Sequence, residues 1–595
     1  MLLYRVVAAA LTLTQVSSAA KTIWSPCNVM STPTPGDREA AQCTVYKAPL
    51  CYPGVCETPD SVSSTVDVFV KRFPANNNRS ETAPNVWLLQ GGPGFDPAAL
   101  DTPAMSLYLK LNANVNVYTM HHRGVGKSTN LYCESASGLL LVEAKHVPAC
   151  AQELEQKFGD LAAFSTTSAA KDLASFISEY GNDLSTTVYG VGYGTMWVER
   201  LIHLDPPEVT GYVLDSVFTT SGAPLDKFMN VTSLDAAYSE IADDFMDLCS
   251  EDKECSSRFK KKGLKQALYH VLAKLDKNPT STCAKLLTTM NLSPYDDPPS
   301  FIFRGLLLAQ LQSMGQRTLI PPMVYRFLRC AKKDVDVLTF LTRKFKAIKM
   351  VVEKNTTSTD VSTTLLENLI EASERWESPT PSVSTLRARF KETGLGGWGS
   401  YLQVPMYCAM SKEKSPVCNK LKLGNYKTKG IIYERDEYWN KAAKIPKQAS
   451  VLLMSSEVDP KAPPKYAEYL LEALDGDKKE LITFKNTTEG NLIDTYTNGD
   501  LCGMTLLASF VQGSGDLDKL NRTCVEEAMT ATPIWNVSAG YARNFFSTDD
   551  AYDGVYDESL TVGEWSELGN FMDDSSIDSP DKSLAGLTPL GNNQG

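Results

Sequence analysis

The chain has 595 residues, 43% of them hydrophobic, and a formal net charge of −12. Its length exceeds a single compact core and implies two or three structural units, and its apolar content argues against disorder outside local stretches. The acidic balance argues against nucleic acid or an anionic membrane as the main partner, because either requires a dominant basic surface. The one dense basic run, RFKKK at 258–262, reads as a solvated helix end.

Residues 1–20 set one basic residue, Arg5, ahead of an apolar stretch that closes on the small residues Ser18 and Ala20. That is the pattern of a secretory signal peptide, so the mature chain is expected outside the cell. No later run reaches the roughly 18 apolar residues that a membrane span needs, and no span is expected. Of the fourteen cysteines, twelve form couples close in sequence: Cys27 with Cys43, Cys51 with Cys56, Cys133 with Cys150, Cys249 with Cys255, Cys408 with Cys418, and Cys502 with Cys524. In an oxidising compartment these read as disulfides, paired here by proximity alone. With no C-x-x-C and five histidines, neither a metal site nor a cofactor is expected. Sequons at Asn78, Asn230, Asn291, Asn355, Asn486, Asn521 and Asn536 are candidate glycosylation sites.

Between residues 66 and 215 short apolar runs alternate with helical patterns, as in a mainly parallel, doubly wound sheet. The expected strands are 66–70, 86–90, 115–121, 186–191 and 212–215. From 218 to about 445 the texture changes to amphipathic helices; Leu264, Ala267, Leu268, Val271, Leu272 and Leu275 follow i, i+3, i+4 spacing. A strand-like run at 450–454 then resumes the alternating pattern. The expected organisation is a signal peptide (1–20), a first core part (21–217), a helical cap (218–445), a second core part (446–545) and an acidic, largely disordered tail (546–595), mobile from about Asp573.

The run TTVYGV leads into GYG and then a helical pattern, which is the strand, sharp turn and helix of a nucleophile elbow with Gly192 at its centre. Three other stretches join it in order: WLLQGGPGFD (87–96), HHRGVGKS (121–128) and SSEVDPKAPP (455–464). Together they resemble the secreted proline iminopeptidase and tripeptidyl aminopeptidase group of serine hydrolases. The resemblance implies an α/β-hydrolase fold with a large helical cap inserted after the sixth core strand. It implies an oxyanion hole from the backbone of Gly92 and Tyr193, and a triad acid at Asp459.

The resemblance breaks at the chemistry. The elbow carries Gly192 where the group has serine, and no histidine follows Asp459; the best match to the triad base is Glu489. A hydroxyl nucleophile needs a positioned base, and here both are missing. Gln90 and His121 also stand where the group has histidine and aspartate. The sequence therefore reads as a degenerate triad at Gly192, Asp459 and Glu489, in a pseudo-hydrolase with a lidded pocket for a peptide or small molecule. Two alternatives stay open: an active aminopeptidase or esterase with relocated residues, for which His121 or His122 beside Ser128 are the candidates, and a structural or carrier protein. Tyr193 and Trp197 are read either as pocket-lining aromatics or as core.

Overall fold

The computed structural model describes residues 24–560, apart from 31–39, 77–78, 96, 137–141, 225–227, 291–295, 355–357, 398, 495, 498–499 and 531–532. The leader at 1–20, the sequons at Asn78, Asn291 and Asn355, and the chain beyond 560 lie outside the described residues. No helix among the described residues is long and apolar enough to cross a membrane.

Nine strands form the main sheet: β1 (Ser25–Cys27), β2 (Ala41–Pro49), β3 (Thr65–Phe73), β4 (Asn85–Leu89), β5 (Asn116–Met120), β6 (Thr186–Val191), β7 (Val209–Asp215), β8 (Ser450–Ser456) and β9 (Lys479–Phe484). Their order is β1-β2-β3-β5-β4-β6-β7-β8-β9. The ladders from β5 to β9 are parallel, and β1, β2 and β3 add an antiparallel flank. Setting aside the short edge strand β1, this is the α/β-hydrolase sheet, with the insert following its sixth strand, β7. Alternation along each strand feeds two layers, because successive side chains leave opposite faces. Trp87, Tyr118, Val188, Leu214 and Leu453 pack with the helices Thr166–Tyr180 and α1 (Tyr193–Leu204). Val86, Val117, Val213 and Leu452 pack on the opposite face with Asp101–Lys110 and Cys502–Gln512.

The insert builds a separate core from α2 (Leu234–Leu248), α3 (Pro299–Leu311), α4 (Ile320–Arg329), α5 (Lys332–Lys354) and their neighbours. The next helix, α6 (Ser358–Ile370), runs into a π-helical turn at Glu371–Arg375 and lies over the sheet's glycine loops.

All six cysteine couples expected from the sequence are disulfides. Cys27 is bonded to Cys43, which ties β1 to β2, and Cys51 to Cys56 in the turn after β2. Cys133 is bonded to Cys150 in the helix Val147–Phe158, Cys249 to Cys255 at the end of α2, Cys408 to Cys418, and Cys502 to Cys524. The two cysteines that proximity left unpaired, Cys283 and Cys330, form a seventh bond across the insert. They are 47 residues apart, so only the packing of the helices brings them together.

Trp535, Ala542, Phe545, Phe546 and Ala551 are buried in the insert's core, so the acidic chain from 546 to 560 is docked structure; the expected mobile tail from about Asp573 lies outside the described residues. The anchors of 546–560 are arginines of α4, which satisfy carbonyls of a segment more than 200 residues away and leave no trace in the local composition.

Candidate functional site

β6 ends at Val191, and Gly192 turns the chain into α1 with φ 56° and ψ −123°. This left-handed backbone is costly for any residue with a Cβ and free for glycine. The turn is fixed by the Gly192 N–H donating to the Asp215 carbonyl at 3.0 Å and by the Thr195 hydroxyl donating to the Gly192 carbonyl at 2.6 Å. Gly194 is required by close approach, since a Cβ there would stand 2.6 Å from the Leu89 carbonyl oxygen. The sharp strand-to-helix turn is thus formed with a glycine at its tip.

The Glu489 carboxylate lies against Gly192. A Cβ on residue 192 would lie 2.6 Å from Glu489 Oε1, so the carboxylate reaches into the notch that a serine side chain would occupy. Its other oxygen, Oε2, accepts from Lys461 Nζ at 2.6 Å. A carboxylate at this place also sits against the N-terminus of α1, where the helix dipole favours negative charge.

The loop that carries Glu489 is held from several sides. The Ser456 hydroxyl donates to the Thr487 carbonyl at 2.9 Å, and the Gly490 N–H donates to Ser216 Oγ at 3.0 Å. Asn491 Nδ2 donates to Asp215 Oδ1 at 2.6 Å, and Arg317, from the insert, donates to the Asn486 carbonyl at 3.0 Å. Glu489 is therefore aimed by strand ends β7 and β8 and by the cap together.

Asp459 follows β8 and is fully buried. Its Oδ1 accepts from the backbone N–H groups of Lys461 and Ala462 at 2.9 and 3.1 Å. Burial, with the Glu489 charge adding, pushes its carboxyl up to about 7. Lys461 experiences the opposite balance: burial favours the neutral amine, but Glu489 outweighs it and raises the ammonium's pKa. Asp459 thus lies beside the Glu489–Lys461 ion pair.

The five histidines occupy other settings. His121 Nδ1 accepts from the Lys127 N–H, and burial lowers the ring's pKa to about 3. His122 lies between the Arg123 carbonyl and the Tyr193 hydroxyl, 3.1 Å from the latter, and burial lowers it to about 4. Ser128 donates to the His121 carbonyl at 2.8 Å and accepts from the Phe69 N–H, so it braces a strand. His203 faces the Lys441 carbonyl on the far end of α1, His146 precedes the helix Val147–Phe158, and His270 is exposed within the insert. Tyr193 and Trp197 are both 1% exposed and pack as core.

The cap closes over this site. A Cβ on Gly94 would stand 2.7 Å from the Thr363 carbonyl, so α6 lies directly on the glycine loop. Behind it, Arg200 of α1 pairs with Glu374 of the π-helical turn at 3.1 Å and with Asp436 at 2.8 Å, and the Tyr433 hydroxyl donates to Glu374 at 2.7 Å. These are buried charges with mutual partners, the arrangement in which they can be retained.

Within the insert lies a cavity of about 250 Å³ lined by Asp235, Tyr238, Glu367, Glu371, Ser400 and Gln403 among others. Burial raises Asp235 to about 6 and, with Glu371 beside it, Glu367 to about 8. Glu371 is raised by burial against the pull of Arg375, whose guanidinium is 3.2 Å away. Burial raises the pKa of the Tyr238 hydroxyl in the same cavity.

Gly192 and Glu489 are thus brought together beside Asp459 and Lys461, with Gly91 of the glycine loop close to the Tyr193 N–H. Sequence reasoning missed Lys461, although it lies two residues beyond Asp459. It also missed Glu367 and Glu371, whose i, i+4 spacing on a helix is a readable signal. Of the sequons in described residues, Asn521 and Asn536 are exposed and Asn230 half-buried, whereas Asn486 is 7% exposed and bound to Arg317.

No family model and no curated protein matches this chain. Among solved structures it is similar to a proline iminopeptidase of Mycobacterium smegmatis, at 12% identity and TM-score 0.30, covering 79% of this chain and 99% of that one. It is also similar to an esterase from Exiguobacterium antarcticum, at 10% identity and TM-score 0.29, covering 75% and 96% respectively. A thermophilic esterase from Thermogutta terrifontis matches at 10% identity and TM-score 0.29, over 79% and 96%. Likenesses at this level carry no information about substrate or activity.

Proposed function

We propose that this chain is a secreted pseudo-hydrolase: a protein of the α/β-hydrolase fold that performs no serine hydrolysis and binds a peptide or small molecule in the cavity of its cap. The observation that carries this reading is the Glu489 carboxylate in the place of the nucleophile, tied to Lys461. An acyl group entering the oxyanion hole would meet an anion instead of a hydroxyl, and the same anion would repel developing negative charge. Secretion is supported by the leader pattern and by seven disulfides.

The ligand end of the proposal rests on the cavity. Asp235, Glu367 and Glu371 line one space, and a ligand bearing an ammonium group would relieve their crowding. Calorimetric titration with short peptides tests it: peptides with a free amino terminus bind, their N-acetylated forms do not, and Glu367→Gln with Glu371→Gln weakens binding. Equal binding of free and acetylated peptides, or no binding of either, would overturn it. The engaged positions of His121, His122 and Ser128 give no support to a relocated active site.

A further inference from the structure

The C-terminal arm leaves the sheet after the disulfide between Cys502 and Cys524 and docks on a different body, the insert. No cysteine follows Cys524, so no disulfide holds the arm where it lies. A turn of the arm, Asp550–Gly554, is read by four basic side chains of the insert. Arg326, fully buried, donates to the carbonyls of Ala551 at 2.6 Å, Asp550 at 3.1 Å and Gly554 at 3.0 Å. Arg329 donates to the Tyr552 carbonyl at 3.0 Å, and Lys333 to the Asp553 carbonyl at 3.0 Å.

Side chains supply the selectivity. The Asp553 carboxylate accepts from Arg258 at 2.8 Å, Arg329 at 2.5 Å and Lys333 at 3.2 Å. The Tyr552 ring lies with the Arg258 guanidinium 4.6 Å from its centre and the Tyr325 ring edge-on at 5.6 Å. Arg326 is itself fixed by Asp334, which also binds Arg329. Donors aimed at main-chain carbonyls, plus one aromatic and one acidic subsite, are how a protein surface takes a peptide segment.

We infer that the cradle of Arg258, Arg326, Arg329 and Lys333 is a peptide-recognition site for an acidic segment with an aromatic residue directly before an aspartate, and that the chain's own Asp550–Gly554 occupies it in cis. Tethering sets the arm's effective concentration near the millimolar range. A partner peptide therefore enters only when it competes with the arm or when the arm is released. The same side chains that seat the arm would seat the partner.

The test uses the folded full-length protein. A protease site is introduced after Thr530, cut after folding, and exchange is followed with a labelled peptide spanning residues 533–560. The expected result is that the cut arm stays bound at low salt, that the labelled peptide replaces it, and that the Asp553→Asn peptide competes about tenfold less well. High salt should speed release, since three of the contacts to Asp553 are ionic. An arm that neither leaves nor exchanges, equal competition by the two peptides, or loss of native circular dichroism when the arm departs would each overturn the inference and make the arm an inseparable part of the insert.

Discussion

Placing a serine at the elbow is the sharpest perturbation of this site. Gly192→Ser adds a Cβ 2.6 Å from Glu489 Oε1 at a backbone φ of 56°. The backbone term for a residue with a Cβ in such a region is about 1 to 3 kcal/mol. Moving Glu489 aside breaks its pair with Lys461; the lysine side chain is 29% exposed and the glutamate 17%, so the loss adds about 1 kcal/mol. The substitution should therefore destabilise the protein by about 2 to 4 kcal/mol and create no activity. In a Glu489→Ala background the steric term disappears and only the backbone term remains, so the same substitution should cost about 1 kcal/mol less. Urea melts of the two single variants and the double variant measure this directly. Equal costs in both backgrounds would refute the placement of Glu489 in the notch.

The buried carboxylates make stability fall as pH rises. Asp459 and Glu199 are raised to about 7, and Asp215 and Asp235 to about 6, in each case first by burial. Their folded-state pKa values lie above the unfolded ones, so their contribution is full below about pH 4 and is lost as pH rises through 6 and 7. His121 and His122, lowered to about 3 and 4 by burial, act oppositely, losing their contribution as pH falls from about 6.5. Four carboxylates outweigh two histidines, so thermal scans should give a lower melting temperature at pH 8 than at pH 5. Asp459→Asn should flatten the fall above pH 6; a melting temperature that rises steadily to pH 8 would contradict this. A third expectation concerns Asn486: glycopeptide mapping should find glycan at the exposed Asn536 and Asn521 but none at Asn486, whose side chain is buried against Arg317.

The sheet's central strands could be read from the sequence because β4, β6 and β8 are buried on both faces and form near-continuous apolar runs. β2 and β9 could not, since AQCTVYKAP and KELITF mix buried positions with exposed or half-buried ones like many loops. Proximity paired Cys27 with Cys43 and its five counterparts, whereas Cys283 and Cys330 meet only through the packing of the insert. Gly192, Asp459 and Glu489 were singled out from the sequence because order along the chain locates them. Lys461 escaped because its role depends on where a loop turns its side chain, and the docking of residues 546–560 escaped because arginines far away in sequence satisfy its carbonyls. Composition there reads as an acidic tail; the packing of Phe545, Phe546 and Ala551 overrides it.

Activity-based labelling tests the central claim most directly. Loss of nucleophile or base costs serine hydrolases on the order of 10⁶ in kcat, so the wild-type protein incubated with a fluorophosphonate should form no serine adduct and should hydrolyse no peptide amide or ester above background. Gly192→Ser combined with Glu489→His, once shown to be folded, should label more than either single variant, because triad members act as a unit. Stoichiometric labelling of one serine in the wild-type protein would contradict the account.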